Sequence, residues 1–372
     1  MKYLKYFLPS FTAIVFLLTI FRGEYYPTAF FIIFSSFIII GDHFLPKEKE
    51  IQNFYYPGIL NMAMYINLPI LLVLIFFIVI LLSSSNNLWF ISILNSYNFI
   101  DLNAIKNSFN FVDKLSLIVQ TALFVGILGI VPGHELTHRV GKKMDMFIGN
   151  WLLSFSWDCT FAIEHVHGHH SNVCYPEDPA SAKRGQNIYA FIANAIIQAH
   201  LDAWKIEKKR LNNRGFSNFN FKNRIIIGYL RSSIITIFAF LIGGIWGMLV
   251  FLTVALVAKS FLETINYVEH YGLVREKGQK VQIRHSWNTN HILSSIYLFN
   301  VTRHSDHHRQ ASLKFWELHP CPEKAPMTPY GYLTMLYLVL LAPMIYRKIM
   351  DKKLVEWDLN FANAAEKKLT SF

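Results

Sequence analysis

Eight of the fifteen histidines in this chain of 372 residues fall into three closely spaced sets, and a ninth candidate, His270, stands alone. On a helix, residues four apart lie about 40° from each other around the axis and residues three apart about 60°, so each set aims its imidazoles at one place. Neutral imidazole is the commonest side-chain ligand of transition metals. The nine candidate metal ligands are His134, His138, His165, His169, His170, His270, His304, His307 and His308.

Two histidine doublets indicate more than one metal. Neighbouring residues on a helix diverge by about 100°, so His169-His170 and His307-His308 can each supply ligands in two directions. Nine imidazoles also exceed the positions around one octahedral ion. The sequence therefore predicts at least two metals.

Burial of this set without metal would be expensive. An unpaired buried polar group costs about 1–3 kcal/mol, and a typical folding free energy is only about 5–15 kcal/mol. Metal binding removes that cost. By contrast, the isolated histidines are expected to be ordinary core residues: His43, His200, His285, His291 and His319.

Several carboxylates lie within two residues of a candidate ligand and are expected either to bind metal directly or to accept a hydrogen bond from a ligand imidazole. They are Glu135, Glu164, Glu269 and Asp306. We take Glu269 and Asp306 as the candidate catalytic residues. Because adjacent side chains on a helix diverge, Glu269 is expected to serve another histidine or the space between the metals, whereas Glu263 and Asn266 share the face of His270.

Composition indicates where these groups lie. The chain is 53% hydrophobic and 16% aromatic, and several apolar runs approach the roughly 20 residues that span a bilayer. The sequence therefore predicts an all-α polytopic membrane protein with six transmembrane helices and a histidine-rich di-metal cap. The spans are expected near residues 5–22, 26–41, 60–83, 114–133, 224–243 and 245–266.

The last two spans are expected to form a hairpin at Gly243-Gly244. Two shorter apolar stretches, 188–203 and 331–346, are predicted to be interfacial or packed inside the protein, and Pro343 interrupts the second. The first span is interpreted as a retained helix and not a signal peptide. Residues 84–110 and 211–222, rich in Asn and Ser, are expected to be loose loops.

Loop charges predict the orientation in the membrane. The loop from 134 to 223 carries eleven Lys and Arg residues, whereas the loop from 84 to 113 carries only Lys106. Basic loops stay in the cytoplasm. We therefore expect one membrane-embedded domain, residues 1–372, in the cell's inner membrane, with cytoplasmic parts 134–223 and 267–372 that hold all nine histidines on one face.

The chain has no evident redox group of its own. Its cysteines, Cys159, Cys174 and Cys321, form no Cys-x-x-Cys pair, so a fused rubredoxin, zinc ribbon or iron–sulfur domain is excluded. There is also no Gly-x-Gly-x-x-Gly dinucleotide motif. Electrons must then come from another protein. The net charge of +11 favours contact with anionic lipid and with an acidic protein partner; nucleic acid is not expected.

A rival interpretation rests on one motif. The segment His134-Glu-Leu-Thr-His138 matches the His-Glu-x-x-His pattern of zinc metallopeptidases, in which the Glu is the general base. An intramembrane peptidase would leave the other seven histidines unexplained. A non-enzymatic metal carrier or sensor is a third class, but spans without polar ligand-bearing residues argue against transport.

The motifs together resemble a known family. They are His134-Glu-Leu-Thr-His138-Arg139, Glu164-His-Val-His-Gly-His-His170, Pro176-Glu-Asp-Pro-Ala-Ser181, Asn266-Tyr-Val-Glu-His-Tyr-Gly272, His285-Ser-Trp-Asn288 and Arg303-His-Ser-Asp-His-His308. From about residue 25 to 350 the sequence resembles the membrane-bound alkane 1-monooxygenases. The resemblance implies six transmembrane helices, two Fe ions held by the nine histidines, O₂ as co-substrate, and electrons from rubredoxin served by an NADH-dependent rubredoxin reductase. Two departures from the family are the additional imidazole of His167 and the segment 309–329.

The implied reaction is terminal hydroxylation of medium- or long-chain n-alkanes to 1-alkanols. A terminal C–H bond offers no acidic proton, so it needs an oxidant made at a metal, and an alkane gains about 0.8 kcal/mol per buried CH₂. A channel between spans that ends at the metals is therefore expected. Its candidate lining residues are Phe30, Phe31, Phe34, Phe37, Phe124 and Phe261. The alternatives within this chemistry are a xylene-type methyl hydroxylase and a fatty-acyl desaturase or hydroxylase.

Overall fold

The chain is helical throughout the part that can be described. The computed structural model describes residues 2–83, 96 and 101–370, and in those ranges it contains helices and turns but no strand. Only two isolated β-bridges occur there, Lys47 with His291 and Asn288 with Met327. The predicted all-α class is therefore confirmed for these residues.

Five of the described helices are long and apolar enough to cross a membrane, judged by length and composition. These helices coincide with the apolar runs of the sequence and extend a few residues beyond them. Their outward faces carry large exposed apolar side chains, as expected of a surface that lipid covers. The candidate spans are Leu4–Arg22, Tyr26–Phe44, Pro57–Leu82, Phe111–Thr137 and Arg224–His270.

The longest of these helices folds back on itself at the predicted hairpin. Gly244 interrupts Arg224–His270 with a φ of 62°, a left-handed conformation that glycine adopts without strain. A Cβ atom at Gly247 would lie 2.6 Å from the carbonyl oxygen of Ala239, whereas eight residues of straight helix span about 12 Å. The chain therefore reverses, and its two arms pack side by side.

The two arms also meet the same neighbouring segment. Cys159 Sγ lies 3.1 Å from Ser232 Oγ on the first arm, and Asp158 Oδ2 lies 2.8 Å from Lys259 Nζ on the second. Residues 232 and 259 would be about 40 Å apart in one straight helix. The two arms of the hairpin are accordingly separate candidate crossings.

Shorter helices lie between and after the spans. The stretch predicted at 188–203 is the longer helix Ile188–Asn212. The stretch predicted at 331–346 is broken at Ala342, just before Pro343, into two helices. The other shorter helices of the described residues, together with the two just named, are Leu102–Ser108, Lys143–Ser154, Phe161–Glu164, His170–Asn172, Ile292–Tyr297, His304–Arg309, Tyr332–Leu341, Pro343–Asn360 and Ala364–Thr370. There are also 3₁₀ turns at Leu4–Phe7 and Ile283–His285.

The loop predictions were right in one place and wrong in another. Residues 213–223, after the end of Ile188–Asn212, contain turns and bends, as predicted for 211–222. In the predicted loop 84–110, residues 84–95 and 97–100 lie outside the described residues. Leu102–Ser108 is nevertheless a helix, because the Asp101 carboxylate caps its first free N–H groups. Composition alone hides such a short capped helix.

Two segments wind as π-helix. Val125–Ile130 interrupts the fourth span just before the first histidine pair, and His165–His169 contains part of the second histidine set. A π-turn brings residues five apart into register, where an α-turn aligns residues four apart. The second segment changes which histidines align, and the first ends about one helical turn before His134.

Candidate metal centre

The nine histidines come together from four parts of the fold. His134 and His138 lie at the end of the fourth span, and His270 is the last residue of the hairpin's second arm. The π-segment after Phe161–Glu164 carries the second set, and the short helix His304–Arg309 carries the third. Their side-chain nitrogens form two groups, and within each group the nitrogens lie within 4.8 Å of one another.

The first group contains five histidines, of which four close a ring. The Nε2 atom of His134 lies 2.8 Å from that of His165 and 3.1 Å from that of His307. The Nε2 atom of His170 lies 3.1 Å from each of those same two atoms. His138 completes the group, and its buried Nε2 has no hydrogen-bond partner.

These distances are those of ligands around one ion. An imidazole nitrogen binds a metal such as zinc at about 2.0–2.1 Å, which places two ligands at right angles about 2.9 Å apart. Four nitrogens in a closed ring at this spacing fit the square base of a coordination sphere, and the unpartnered Nε2 of His138 is available as a fifth ligand. This donor set fits a transition metal.

The second group contains four histidines and an adjacent carboxylate. The Nε2 atom of His308 lies 3.2 Å from that of His169 and 2.9 Å from that of His304. The Nε2 atom of His304 lies 3.2 Å from that of His270 and also 3.2 Å from Glu269 Oε2. The other oxygen of Glu269, Oε1, is buried without a partner, so this carboxylate also fits a position beside a bound cation.

The π-turn determines which histidines share a group. His165 and His170, five residues apart, both belong to the five-histidine group, whereas His169 belongs to the four-histidine group. The expectation that His165 and His169 aim at one place was therefore wrong, because it assumed α-helical geometry. Each doublet, His169-His170 and His307-His308, is divided between the groups. The role of the nine residues as ligands remains a prediction.

Burial keeps the rings in the form that binds metal. Removal from water lowers the pKa of the imidazoles outside the spans well below the usual value, so they are neutral at physiological pH. This holds for His165, His170, His304, His307 and His308. For His169, burial alone would lower the pKa, but the Asp178 carboxylate opposes this and raises it.

Hydrogen bonds orient two rings of the four-histidine group. His169 Nδ1 lies 2.9 Å from Asp178 Oδ2, and His270 Nδ1 donates to the carbonyl oxygen of His285 at 3.2 Å. The carboxylate of Glu366 in turn lies 2.8 Å from His285 Nε2. Sequence reasoning missed Asp178 as a supporting residue, although Pro176-Glu-Asp-Pro-Ala-Ser181 was among the family motifs. It also missed Glu366, for which the sequence carries no comparable signal.

Two of the four candidate carboxylates are occupied elsewhere. Asp306 Oδ1 accepts a hydrogen bond from Arg309 Nε at 2.8 Å, and Oδ2 accepts one from the His319 amide at 2.8 Å. Asp306 thus holds the segment after the third histidine set, and its catalytic role stays a prediction that these contacts do not support. Glu135 Oε1 is 2.6 Å from Arg139, which also contacts Asp145. Because Glu135 is paired with Arg139, its carboxylate is not placed as the general base of a His-Glu-x-x-His peptidase would be.

Glu164 and Glu269 lie closer to the histidine groups. Burial raises the pKa of Glu164 to about 8, so this carboxyl is largely protonated at neutral pH in the absence of a nearby cation. Glu269 contacts His304 rather than its neighbour His270, as expected from the divergence of adjacent side chains.

The remaining histidines comprise exposed residues, buried residues and the half-buried His200, which hydrogen-bonds with Tyr229. His167 is exposed and belongs to neither group, so the second set presents three imidazoles to the groups and not four. His43 and His319 are also exposed, so the expectation of a core role was wrong for them. His285 and His291 are buried with hydrogen bonds to Glu366 and Thr289.

An apolar cavity leads from the spans to both groups. It encloses about 620 Å³ of space, including its open mouth. Its walls are mostly aliphatic side chains of the fourth span and the hairpin's second arm, with parts of residues 298–301 and 333–336. At its inner end lie His134, His165, His304, Asn266 and Glu269.

The predicted aromatic lining was largely wrong. Of the six phenylalanines, Phe261 lines the cavity. Phe30, Phe34 and Phe124 instead pack against one another, and Phe37 is 46% exposed on the outer surface. Phe31 is not among the cavity residues. Aromatic rings fill the contacts between the first four spans, while smaller aliphatic groups leave the cavity open.

Comparison with known proteins agrees with this arrangement. The family model described as fatty acid desaturase matches residues 115–338. "Alkane 1-monooxygenase 2" of Alcanivorax borkumensis is 38% identical over 64% of this chain and 63% of its own length, and "Alkane 1-monooxygenase" of Pseudomonas putida is 38% identical over 64% and 61%. The "Xylene/toluene monooxygenase hydroxylase component XylM" of Pseudomonas putida is 31% identical over 68% of each chain.

The chain therefore belongs to the fatty acid desaturase family and has alkane 1-monooxygenases among its homologues. It spans about 63% of the length of the first two of those curated relatives. The multi-pass membrane character inferred from composition agrees with its candidate spans and with this family.

Proposed function

We propose that this protein hydroxylates the terminal carbon of medium- or long-chain n-alkanes with O₂, at two irons held by the nine histidines. The observation that carries this proposal is the apolar cavity whose inner end is formed by histidines of both groups. Glu269 at the same end touches the reacting region and is its candidate catalytic carboxylate.

The cavity matches an alkane in chemistry. Its long walls offer dispersion contacts and no hydrogen-bonding groups, so each CH₂ moved from water contributes about 0.8 kcal/mol. The polar residues lie at the inner end, and a narrow apolar site presents a linear chain end-first to them. Gly126 lines the cavity, and a Cβ there would meet open space, so this position leaves room for the chain.

Two irons, when bound, would supply the redox chemistry that activates O₂ and oxidises the C–H bond. The imidazoles would hold the metals, and the low pKa of His165, His170, His304, His307 and His308 keeps their nitrogens free to bind. The aliphatic walls exclude water from the reacting end. Imidazole also suits zinc and copper, so iron is proposed from the family.

We further propose six membrane crossings, counting each arm of the hairpin, with the histidine groups on the cytoplasmic side of the inner membrane. The support is the basic loop 134–223 and the reversal of the chain at Gly244. Residues 1–372 would then form one membrane-embedded hydroxylase domain, with 134–223 and 267–372 in the cytoplasm.

The electron donor is proposed to be rubredoxin, reduced by an NADH-dependent rubredoxin reductase. The sequence lacks a Cys-x-x-Cys pair and carries a net charge of +11, which suits docking of a small acidic carrier. Turnover should need added rubredoxin and should weaken as salt screens the attraction. Hydroxylation of alkane by the purified protein with NADH alone would contradict this part of the proposal.

A xylene-type methyl hydroxylase is the second candidate, supported by the similarity to the hydroxylase component from Pseudomonas putida. A zinc peptidase is disfavoured, because Glu135 is paired with Arg139 and the first histidine pair lies in an all-histidine group.

Product identification separates these reactions. Membranes that contain the protein, supplied with rubredoxin, reductase and NADH, would be given octane, hexadecane, xylene or a fatty acid in parallel. The proposal predicts 1-alkanols as the main products. A benzylic alcohol from xylene with no alkanol would favour the second candidate, and an unsaturated or hydroxylated acyl chain would favour a desaturase-like enzyme.

A further inference from the structure

Three cavities lie in series around the metal centre and share walls. A polar outer pocket, open at the surface, is lined by Glu164 together with Glu177, Asp178 and Lys183. A small inner pocket is also lined by Glu164, and it adds the buried residues Glu263 and Asp158. Asn266 lines both the inner pocket and the apolar cavity.

The inner pocket contains a buried ion cluster that the proposed reaction has not yet used. Lys259 Nζ lies 2.8 Å from Asp158 Oδ2 and 2.9 Å from Glu263 Oε1. The other oxygen of Glu263, Oε2, accepts a hydrogen bond from Asn266 Nδ2 at 3.0 Å. Buried charges carry a large desolvation penalty and often mark function, and this cluster is continuous with a residue of the substrate cavity.

Hydroxylation requires such a connection. With R for the alkyl chain, RH, O₂, two electrons and two protons give ROH and H₂O: a C–H bond and the O–O bond break, a C–O bond forms, and one oxygen leaves as water. The electrons come from the carrier. The long walls of the apolar cavity offer no proton donor, so protons and water need a second path.

We propose that Glu263 and Asn266 form the inner part of a polar route that passes from the surface pocket, along Glu164, to the inner end of the apolar cavity. The route brings protons to the reacting end and lets product water leave. This inference rests on the proposed hydroxylation and names a proton path for it. Glu263 is a proton-relay residue that acts through Asn266, whose fixed amide orders water on the cavity side.

The geometry separates this route from the substrate's path. The inner pocket is wide enough for a water molecule and has charged walls on several sides, so water there finds the polar partners it needs. The groups that face Glu263 are Lys259, Asp158 and Asn266, with Glu164 across the pocket. The alkane would enter between aliphatic walls, whereas the proton would pass through the polar inner pocket beside Glu263.

Two variants test the route with matched electrostatics. Glu263→Gln and Asp158→Asn each remove one carboxylate from Lys259 and leave the other, so both keep a paired lysine. Only Glu263 contacts Asn266. Glu263→Gln is expected to lower alkanol formation by about 10²-fold, the lower end of the ~10²–10⁴-fold contribution of a positioned proton-transfer group.

The variant's remaining turnover should release more peroxide per O₂ consumed and show a larger solvent deuterium isotope effect, with metal content unchanged. Asp158→Asn should release as little peroxide per O₂ consumed as the wild type does. The proposal would be overturned if wild type and Glu263→Gln released equal peroxide per O₂ consumed. It would also be overturned if the two variants lost alkanol formation equally. If Glu263→Gln does not fold, Asn266→Leu serves the same purpose, because it closes the link from the inner pocket to the cavity.

A second readout is independent of turnover. Hydroxyl-radical labelling by X-ray radiolysis of water marks side chains next to internal water, and it works on resting protein. Phe161 and Leu262 line both the inner pocket and the apolar cavity, and they should be oxidised faster than Leu123 of the aliphatic walls. Labelling of Leu123 as fast as Leu262 would show that water enters along the apolar cavity and would overturn the separate route. Absence of alkanol from the wild type would instead contradict the proposed function and leave this labelling test valid.

Discussion

The two histidine groups differ in how they are completed. The five-histidine group has four nitrogens in a closed ring and a fifth nearby, so imidazoles alone can surround one ion there. The four-histidine group has fewer imidazoles but receives Glu269 at 3.2 Å from His304 Nε2. In the part of the chain that the structure describes, rings of this group make the hydrogen bonds to the Asp178 carboxylate and to the His285 carbonyl oxygen.

This difference indicates a division of labour. A site with five imidazoles leaves little room for other ligands, whereas a site with four leaves more open positions beside a carboxylate. Such a site needs outer hydrogen bonds to hold its ligands in place. We therefore expect the four-histidine site to be the more sensitive to substitution.

The largest effect is expected from loss of a ligand, and it should be unequal between the groups. His270→Ala removes one of four imidazoles and should abolish metal binding at that site, with a loss greater than the ~10–100-fold typical of changes outside the coordination sphere. His138→Ala leaves four imidazoles in its group and should retain part of its metal. Metal analysis of purified variants measures both, with the exposed His43→Ala as the control.

Equal metal loss in His138→Ala and His270→Ala would break the comparison. Loss of both metals in the His43→Ala control would show that the assay reports folding and not coordination.

The next largest effect concerns the carboxylate beside the four-histidine group. Glu269→Gln keeps the shape of the side chain but removes its charge, and it should lower activity about 10–100-fold while the fold and some iron remain. Activity and metal content of the same preparation give the answer, with the exposed Glu317→Gln as the matched control. Full iron and full activity would show that Glu269 has no part in the site.

A somewhat smaller effect is expected where the support is one step removed. Asp178→Asn weakens the hydrogen bond that orients His169, so metal affinity of the four-histidine group should fall by about tenfold, at the low end of the usual range. Competition with a chelator measures the affinity. The neighbouring Glu177 is exposed, and Glu177→Gln should leave the affinity unchanged. An equal weakening of both groups would contradict a role confined to His169.

The smallest effect should come from the C-terminal helix. Glu366 contacts His285, whose carbonyl oxygen accepts from His270 Nδ1, so it acts two contacts away from the site. Glu366→Gln should change metal affinity by less than about tenfold yet alter the spectroscopic signature of the four-histidine site. The surface residue Glu356, which pairs with Lys353, provides the control variant Glu356→Gln. An unchanged spectrum would show that the helix only packs against the site.

The sequence was sufficient for the features that depend on composition and simple periodicity. Apolar runs predicted the long helices, and the Gly243-Gly244 pair predicted the turn between the hairpin's arms, since glycine adopts the left-handed conformation that Gly244 shows. Pro343 likewise predicted the break before Pro343–Asn360. Each of these features has a local cause in the chain.

Other features depend on tertiary structure. The π-segment His165–His169 changes which histidines align, and no residue in it signals a π-turn. Asp306 and Glu269 both neighbour candidate ligands in the sequence, yet Arg309 and the His319 amide engage the first while the second meets His304. Phe34 and Phe124, which were expected in the channel, pack between helices instead, because their partners Tyr297 and Phe16 come from distant parts of the chain.

The central claim is that two unequal histidine groups each hold an iron. The most direct measurement is metal analysis combined with Mössbauer spectroscopy of the protein purified from ⁵⁷Fe-grown cells. The account predicts two irons per chain with two distinguishable signals, of which His270→Ala should remove one. A reproducible content of one zinc per chain with negligible iron would contradict it.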